Sequence, residues 1–170
     1  MNLASIIFTH TRIGLHGRLF TIFKFRTMYL GAQKHQAKFH HLNQGIPPTF
    51  KIKNDPRLTR IGKFLRNTGL DELPQLINIL KGDMALIGPR PLPVAENKKL
   101  PKKWQLLRQS VKPGIISSWA LTGGHNLTLN QWMQLDLQDI QNLHSISYRL
   151  QIYRKFVRFF LRAIINSFKN

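Results

Sequence analysis

Glycine and proline cut this chain into short pieces, and that punctuation limits the fold more than any other feature. Breaks fall at Gly14-Leu15-His16-Gly17, Pro47-Pro48, Lys81-Gly82, Gly88-Pro89-Arg90-Pro91, Lys112-Pro113-Gly114 and Gly123-Gly124. Between them, the spacing of apolar residues decides the element type. Residues 8–13 and 19–28 are rich in β-formers and flank the first break, so they read as a hairpin. Gly14 and Gly17 would supply positive φ in its turn. Lys24 and Arg26, two positions apart, would share one strand face.

Most of the other pieces read as helices. Residues 30–45 suit a modest helix that Pro47-Pro48 stops, and Phe50-Lys51-Ile52 reads as extended. Over residues 57–66, Leu58, Ile61, Phe64 and Leu65 recur at helical spacing, with Arg57, Arg60 and Lys63 as a basic stripe. Thr68-Gly69-Leu70-Asp71 has the spacing of a capping box. It predicts a helix that carries Pro74 in its first turn and stops at Lys81-Gly82. Residues 84–87 read as short and buried, 115–121 as strand or loop, and 104–111 and 130–143 as helical. The expected architecture is α+β, mostly helical with a small β-hairpin, in one domain over residues 1–170.

Charge narrows the partners. Against 7 Asp+Glu stand 26 Lys+Arg, a formal net of +19. Such an excess implies an anionic partner: nucleic acid, an acidic membrane surface or a phosphorylated substrate. The absence of cysteine excludes a disulfide scaffold, a thiolate metal site and a cysteine nucleophile. The histidines form no HxxxH-type pair, which argues against zinc, and adjacent His40 and His41 read as solvated loop residues. No stretch approaches the ~20 apolar residues that span a bilayer. The apolar start, residues 3–8, lacks the basic flank of a signal peptide.

The last segment, residues 148–168, repeats arginine every four positions at Arg154, Arg158 and Arg162, beside Ile152, Phe156, Phe159, Phe160, Ile164 and Ile165. Two readings stand for it. A basic amphipathic helix can lie in a lipid headgroup layer, and a terminal helix can pack on the core with its arginines in water.

Acid-dependent chemistry has few candidates: Asp55, Asp71, Glu72, Asp83, Glu96, Asp136 and Asp139. Asp71 and Glu72 alone are adjacent, at a predicted helix start whose field stabilises an anion by about 0.3–1 kcal/mol. A carboxylate there can attack phosphorus or hold a Mg²⁺ that bridges phosphate oxygens. Acids before a proline are also ordinary capping chemistry. Lys24, Arg26 and Arg90 could together neutralise a diphosphate, although each alone is also a common surface charge. Arg90 stands out, because flanking prolines restrict its backbone and aim its guanidinium.

Several motifs occur in a specific order. Phe8-Thr9-His10-Thr11-Arg12-Ile13-Gly14 and Lys24-Phe25-Arg26-Thr27-Met28 precede Asn54-Asp55-Pro56-Arg57-Leu58-Thr59-Arg60-Ile61-Gly62. The central block is Leu70-Asp71-Glu72-Leu73-Pro74-Gln75-Leu76-Ile77-Asn78-Ile79-Leu80-Lys81-Gly82-Asp83-Met84, then Gly88-Pro89-Arg90-Pro91 and Lys112-Pro113-Gly114-Ile115. The chain thereby resembles, over nearly its whole length, the bacterial sugar transferase family of monotopic polyprenyl-phosphate hexose-1-phosphate transferases.

That resemblance implies a membrane-surface catalytic domain, peripheral on the cytoplasmic face of the inner membrane. UDP-hexose and polyprenyl (undecaprenyl) phosphate would be its substrates and UMP a product, at the start of exopolysaccharide or O-antigen assembly. By resemblance Asp71 is the nucleophile, Glu72 its dyad partner, and Mg²⁺ is held near Asp71, with Lys24 and Arg90 at the phosphate site. Some positions depart from the family: His10 replaces glutamine, Ser117 and Ala120 replace glycine and glutamine, Gly124 replaces arginine. Asp139 and Tyr148 stand where tyrosine and aspartate are usual. Met1 lies only a few residues before Phe8. The expectation is therefore a chain without the family's N-terminal membrane hairpin, anchored through a separate chain, or else a truncated and inactive remnant. A basic nucleic-acid-binding module is a third reading; it leaves the central block unexplained, so no nucleic-acid partner is expected.

Overall fold

The computed structural model describes residues 6–124 and 127–167. The beginning of the apolar N-terminal run and Phe168 lie outside the described residues. Strands β1 (Ile7–Ile13) and β2 (Leu19–Phe25) pair antiparallel from Ile7↔Phe25 to Ile13↔Leu19. The hairpin is as expected, but its turn differs. A 3-10 turn, Leu15–Gly17, reverses the chain with positive φ at His16 (54°) and Gly17 (78°), whereas Gly14 is extended at φ −117°. Strand β2 also ends at Phe25, and Met28 instead bridges to Leu58.

The helix expected over 30–45 is a 3-10 helix, Ala32–Leu42, kinked at Phe39. Only Ala32 within it is buried, so little packing energy favours the wider α-helical turn. Residues 50–52 form no strand: the Gln44 N–H donates to the Lys51 carbonyl and the Lys51 N–H to Asn43 Oδ1.

Helix α1 (Arg60–Thr68) starts where the Thr59 hydroxyl accepts from the Gly62 N–H at 2.9 Å, and it ends at Gly69 with φ 76°. Arg57 is therefore not on the helix, and the expected Arg57/Arg60/Lys63 stripe does not form. Asp55 captures Arg57 in a buried fork, with Nε at 2.8 Å and Nη2 at 2.7 Å. The capping box fails too. Thr68 is the last residue of α1, and its hydroxyl donates back to the Phe64 and Leu65 carbonyls. Gly69 instead turns the chain into a 3-10 helix, Leu70–Gln75, with Pro74 inside it, and α2 (Leu76–Leu80) continues to the expected stop at Gly82 (φ 78°).

Strand β3 (Ala85–Ile87) is followed by α3 (Val94–Lys98) and α4 (Lys102–Arg108), and then pairs in parallel with β4 (Gly114–Ile116). Next come α5 (Ser118–Leu121) and α6 (Leu129–Asn142), the second opened by a capping box of Thr128 and Gln131. The chain closes on α7 (Ile146–Ser167). The result is the α+β, mostly helical fold expected, plus a small parallel sheet.

Three apolar clusters hold these elements. Phe20, Ile22 and Met84 fasten the hairpin, Leu92, Leu100, Trp119, Trp132 and Met133 fill the α5–α6 side, and Ile87, Ile116 and Ile152 seat α7 on the parallel sheet. Ile152 is 1% exposed, a burial that contributes about 1.5–3 kcal/mol. It is the only residue of α7 that is fully buried, among those described. Arg154, Arg158 and Arg162 are all exposed, and so are Leu150, Val157, Phe159, Leu161 and Ile165. No described helix is long and apolar enough to cross a membrane.

Candidate active site

Three distant segments meet at Glu72. Lys24, near the end of β2, places its Nζ 2.6 Å from Glu72 Oε1, and Arg90, in the turn after β3, places Nη2 2.8 Å from the same oxygen. Asp71 and Glu72 occupy the first turn of the Leu70–Gln75 3-10 helix. Both are half-buried.

Local chemistry explains how each segment arrives. Asn78 on α2 is fully buried and acts as a substitute strand. Its amide donates to the Thr21 carbonyl at 2.7 Å and accepts from the Phe23 N–H at 3.2 Å. Two bonds to β2 therefore fix Lys24 against the helix that bears the dyad. The Arg90 turn is seated by close backbone contact. A Cβ on Gly114 would fall 2.1 Å from the Gly88 nitrogen, and the Gly114 N–H donates to the Pro89 carbonyl at 3.0 Å. Arg12, Lys24, Glu72, Gln75 and Arg90 line a narrow cavity at the junction. Arg12 reaches it because β1 docks on the same turn, through an Arg12↔Pro93 bridge.

The two carboxyls have different electrostatic roles. Burial opposes the Glu72 charge, but Arg90 and Lys24, by field and hydrogen bond, more than offset it and hold this carboxyl far below the usual range. Burial raises the Asp71 carboxyl, and the nearby Glu72 adds to the rise, while Lys24, Arg90 and Arg66 pull it down. Among the described residues Asp71 has no ion pair, whereas Glu72 has two. Glu72 is thus neutralised by two fixed cations, which leaves the Asp71 carboxylate unpaired among the described residues. Burial pushes Lys24 down against the pull of Glu72, and the field of Glu72 raises Arg90. Burial and the Arg90 charge bring Arg12 down to about 10.

Of the residues expected at the site, Asp71, Glu72, Lys24 and Arg90 come together. Arg26 does not join their ion pairs. It lies beyond the end of β2, donates to the Ile7 carbonyl at 3.1 Å and stacks 5.8 Å from the Phe8 ring centroid. Lys24 and Arg26 share a face only in a strand that continues through Arg26, and β2 ends one residue before it. Arg154, Arg158 and Arg162 are exposed on α7 and form none of these ion pairs. Three contributors went unread: Arg12, although it stands inside a quoted motif, the buried Asn78, and Arg66, which meets Asp55 at 3.5 Å and adds its field to Asp71.

A metal would find a sparse protein site. No group of three or more His, Asp or Glu side chains suited to a metal occurs among the described residues. Asp71, which makes no ion pair among the described residues, would be the carboxylate able to hold a Mg²⁺ together with substrate phosphates.

The bacterial sugar transferase family matches residues 1–163. A galactosyl transferase CpsE of Streptococcus agalactiae is 44% identical over 135 residues, 79% of this chain and 30% of that protein. The undecaprenyl-phosphate galactose phosphotransferase of Salmonella typhimurium is 38% identical over 141 residues, 80% of this chain and 29% of the relative. The exopolysaccharide production protein ExoY of Rhizobium meliloti is 34% identical over 81% of this chain and 62% of its own length. The chain thus spans under a third of the first two relatives.

Proposed function

The chain belongs to the bacterial sugar transferase family, and on that premise we propose that it transfers a hexose-1-phosphate from a UDP-sugar to polyprenyl phosphate. The observation that carries this reading is the division of labour in the dyad: Glu72 takes both cations and Asp71 takes neither. A carboxylate without an ion pair, near two fixed cations, suits attack on a phosphorus atom.

In the first displacement an Asp71 carboxylate oxygen forms a bond to the sugar-bearing phosphorus, and the bond from that phosphorus to the bridging oxygen breaks. UMP leaves with the electron pair, and an aspartyl-phosphosugar remains. In the second, a phosphate oxygen of the polyprenyl phosphate attacks the same phosphorus. Asp71 is released as carboxylate and polyprenyl diphosphate hexose forms. Lys24 and Arg90 lie where charge on the non-bridging oxygens can be met, and Glu72 keeps both cations in place. When bound at Asp71, Mg²⁺ neutralises diphosphate charge.

The lipid substrate calls for a membrane surface. Leu73, Leu76, Ile77 and Leu80 recur at helical spacing just after the dyad, and they are 49%, 49%, 48% and 87% exposed. Ile61 on α1 is 74% exposed. A patch of this kind beside a phosphate site suits the interfacial layer of a bilayer, with the exposed arginines of α7 on anionic headgroups. The supply of UDP-sugars places that surface on the cytoplasmic face of the inner membrane.

The test is UMP release from a panel of UDP-sugars by the membrane-reconstituted protein, with and without polyprenyl phosphate. Release should depend on a UDP-hexose, and Asp71→Asn should lower it by about three orders of magnitude or more. Unchanged release in Asp71→Asn would remove the nucleophile assignment.

A further inference from the structure

Arg108 lies on α4 away from the dyad, and the chemistry above does not use it. It is 7% exposed, with its guanidinium carbon 5.1 Å from the centroid of the Trp132 ring. Its two hydrogen-bond partners come from different elements. One is Asp136 on α6, itself fully buried, and the other is the backbone carbonyl of Arg90.

That carbonyl belongs to the residue whose guanidinium holds Glu72. The Arg90 turn has prolines on both sides, which restrict φ at Pro89 and Pro91 and bias Arg90 to extended backbone. They still leave the Arg90–Pro91 peptide plane free to rock about Arg90 ψ. The Gly114 N–H fixes the preceding carbonyl, that of Pro89, at 3.0 Å. Arg108 fixes the next one, so two successive carbonyls of the turn are anchored and the plane is set. A buried ion pair adds little stability over an apolar pair of similar volume. What the apolar pair lacks is a directed donor at this carbonyl.

We propose that Arg108, held by Asp136, is a positioning residue that locks the Arg90 turn and so delivers the Arg90 guanidinium to Glu72 and the substrate phosphates in one orientation. Asp136 Oδ1 is buried without a hydrogen-bond partner. An apolar pair at the two positions would avoid that unmet oxygen, which fits an ion pair whose role is to aim a guanidinium. The inference rests on the reading of Arg90 as a phosphate-site cation.

A double-mutant cycle on the whole membrane-reconstituted protein separates this role from a merely structural one. Arg108→Lys keeps the charge and loses the fork, and Arg90→Lys shortens the reach to Glu72. Arg108→Lys alone should lower kcat by about 10- to 100-fold with the thermal midpoint nearly kept, and by less than about twofold in the Arg90→Lys background. Independent, multiplying losses would overturn the proposal, as would an unchanged kcat in Arg108→Lys. Should Arg108→Lys not fold, Asp136→Asn enters the same cycle and must show the same dependence on Arg90. If Arg90→Lys alone leaves turnover intact, the phosphate-site assignment fails and takes this proposal with it. Multiplying losses with an active-site effect of Arg90→Lys would sink only the role of Arg108.

Discussion

Lys24 and Arg90 at the dyad, and Arg154, Arg158 and Arg162 on α7, are basic residues in opposite settings. The first two converge on one carboxylate oxygen at 2.6 and 2.8 Å, delivered by segments 66 residues apart. The second three stand exposed along a single helix, one turn apart. A partly buried, fixed cation acts over a few ångströms and stabilises charge in a chosen place. An exposed cation on a flexible stem is screened within about 8 Å in physiological salt, and it acts as one member of a field. The lesson is that a net charge of +19 is not one property. Part of it is fixed on one carboxylate, and part stands exposed along a helix.

The sharpest way to break this contrast is to remove one charge from each side. Arg90→Ala should lower turnover by about 10²–10³-fold, the usual cost of losing one preorganised charge stabiliser, while binding to anionic vesicles stays within twofold. Comparable loss of vesicle binding would show that the two regions act as one field. Next in size, Arg154, Arg158 and Arg162 changed together to Gln should weaken binding to phosphatidylserine-containing vesicles by about two orders of magnitude, at roughly 1 kcal/mol per residue. High salt should abolish the difference. If the triple variant binds normally, the exposed apolar residues alone hold the chain to lipid.

Smaller effects sharpen the fixed side. Asn78→Ala leaves the Thr21 carbonyl and the Phe23 N–H without their bonds, at about 1–3 kcal/mol per group, read by urea unfolding. A value near zero would mean that β2 holds Lys24 in place without Asn78. The smallest expected change is in pH. Burial and Glu72 both raise the Asp71 carboxyl, so the acid limb of turnover should lie above the ordinary aspartate range. Glu72→Gln removes a neighbouring negative charge and frees Lys24 and Arg90 to act on Asp71. The limb should therefore move to lower pH; a limb that stays in place would mean another group titrates.

Much of the site was legible because its members sit in short, rigid motifs. Proline on both sides marked Arg90, adjacency marked Asp71 and Glu72, and strand periodicity marked Lys24. Arg26 was misread by the same periodicity, since nothing local shows that β2 stops at Phe25. Arg57 was misread because helical spacing cannot see Asp55 competing for its guanidinium at 2.7 Å. Two departures from the family pattern also gain a physical meaning. Tyr148 Oη donates to Asp139 Oδ1 at 2.6 Å, and the Ser118 hydroxyl donates to the same oxygen. The two positions at which this chain departs from the resemblance are thus hydrogen-bonded partners at the junction of α5, α6 and α7.

By itself the sequence determined the hairpin, the helix-rich composition, the stops at glycine and proline, and the adjacency of Asp71 and Glu72. These follow from backbone restrictions and spacing, which act over a few residues. Only the tertiary structure decided that Glu72 is the counter-ion and that Asp71 has none among the described residues. It also decided that Asn78 ties α2 to β2 and that Arg108 holds the Arg90 turn. Those outcomes depend on hydrogen bonds across 18 to 57 residues of chain, where direction and burial set the energy and no local pattern records either.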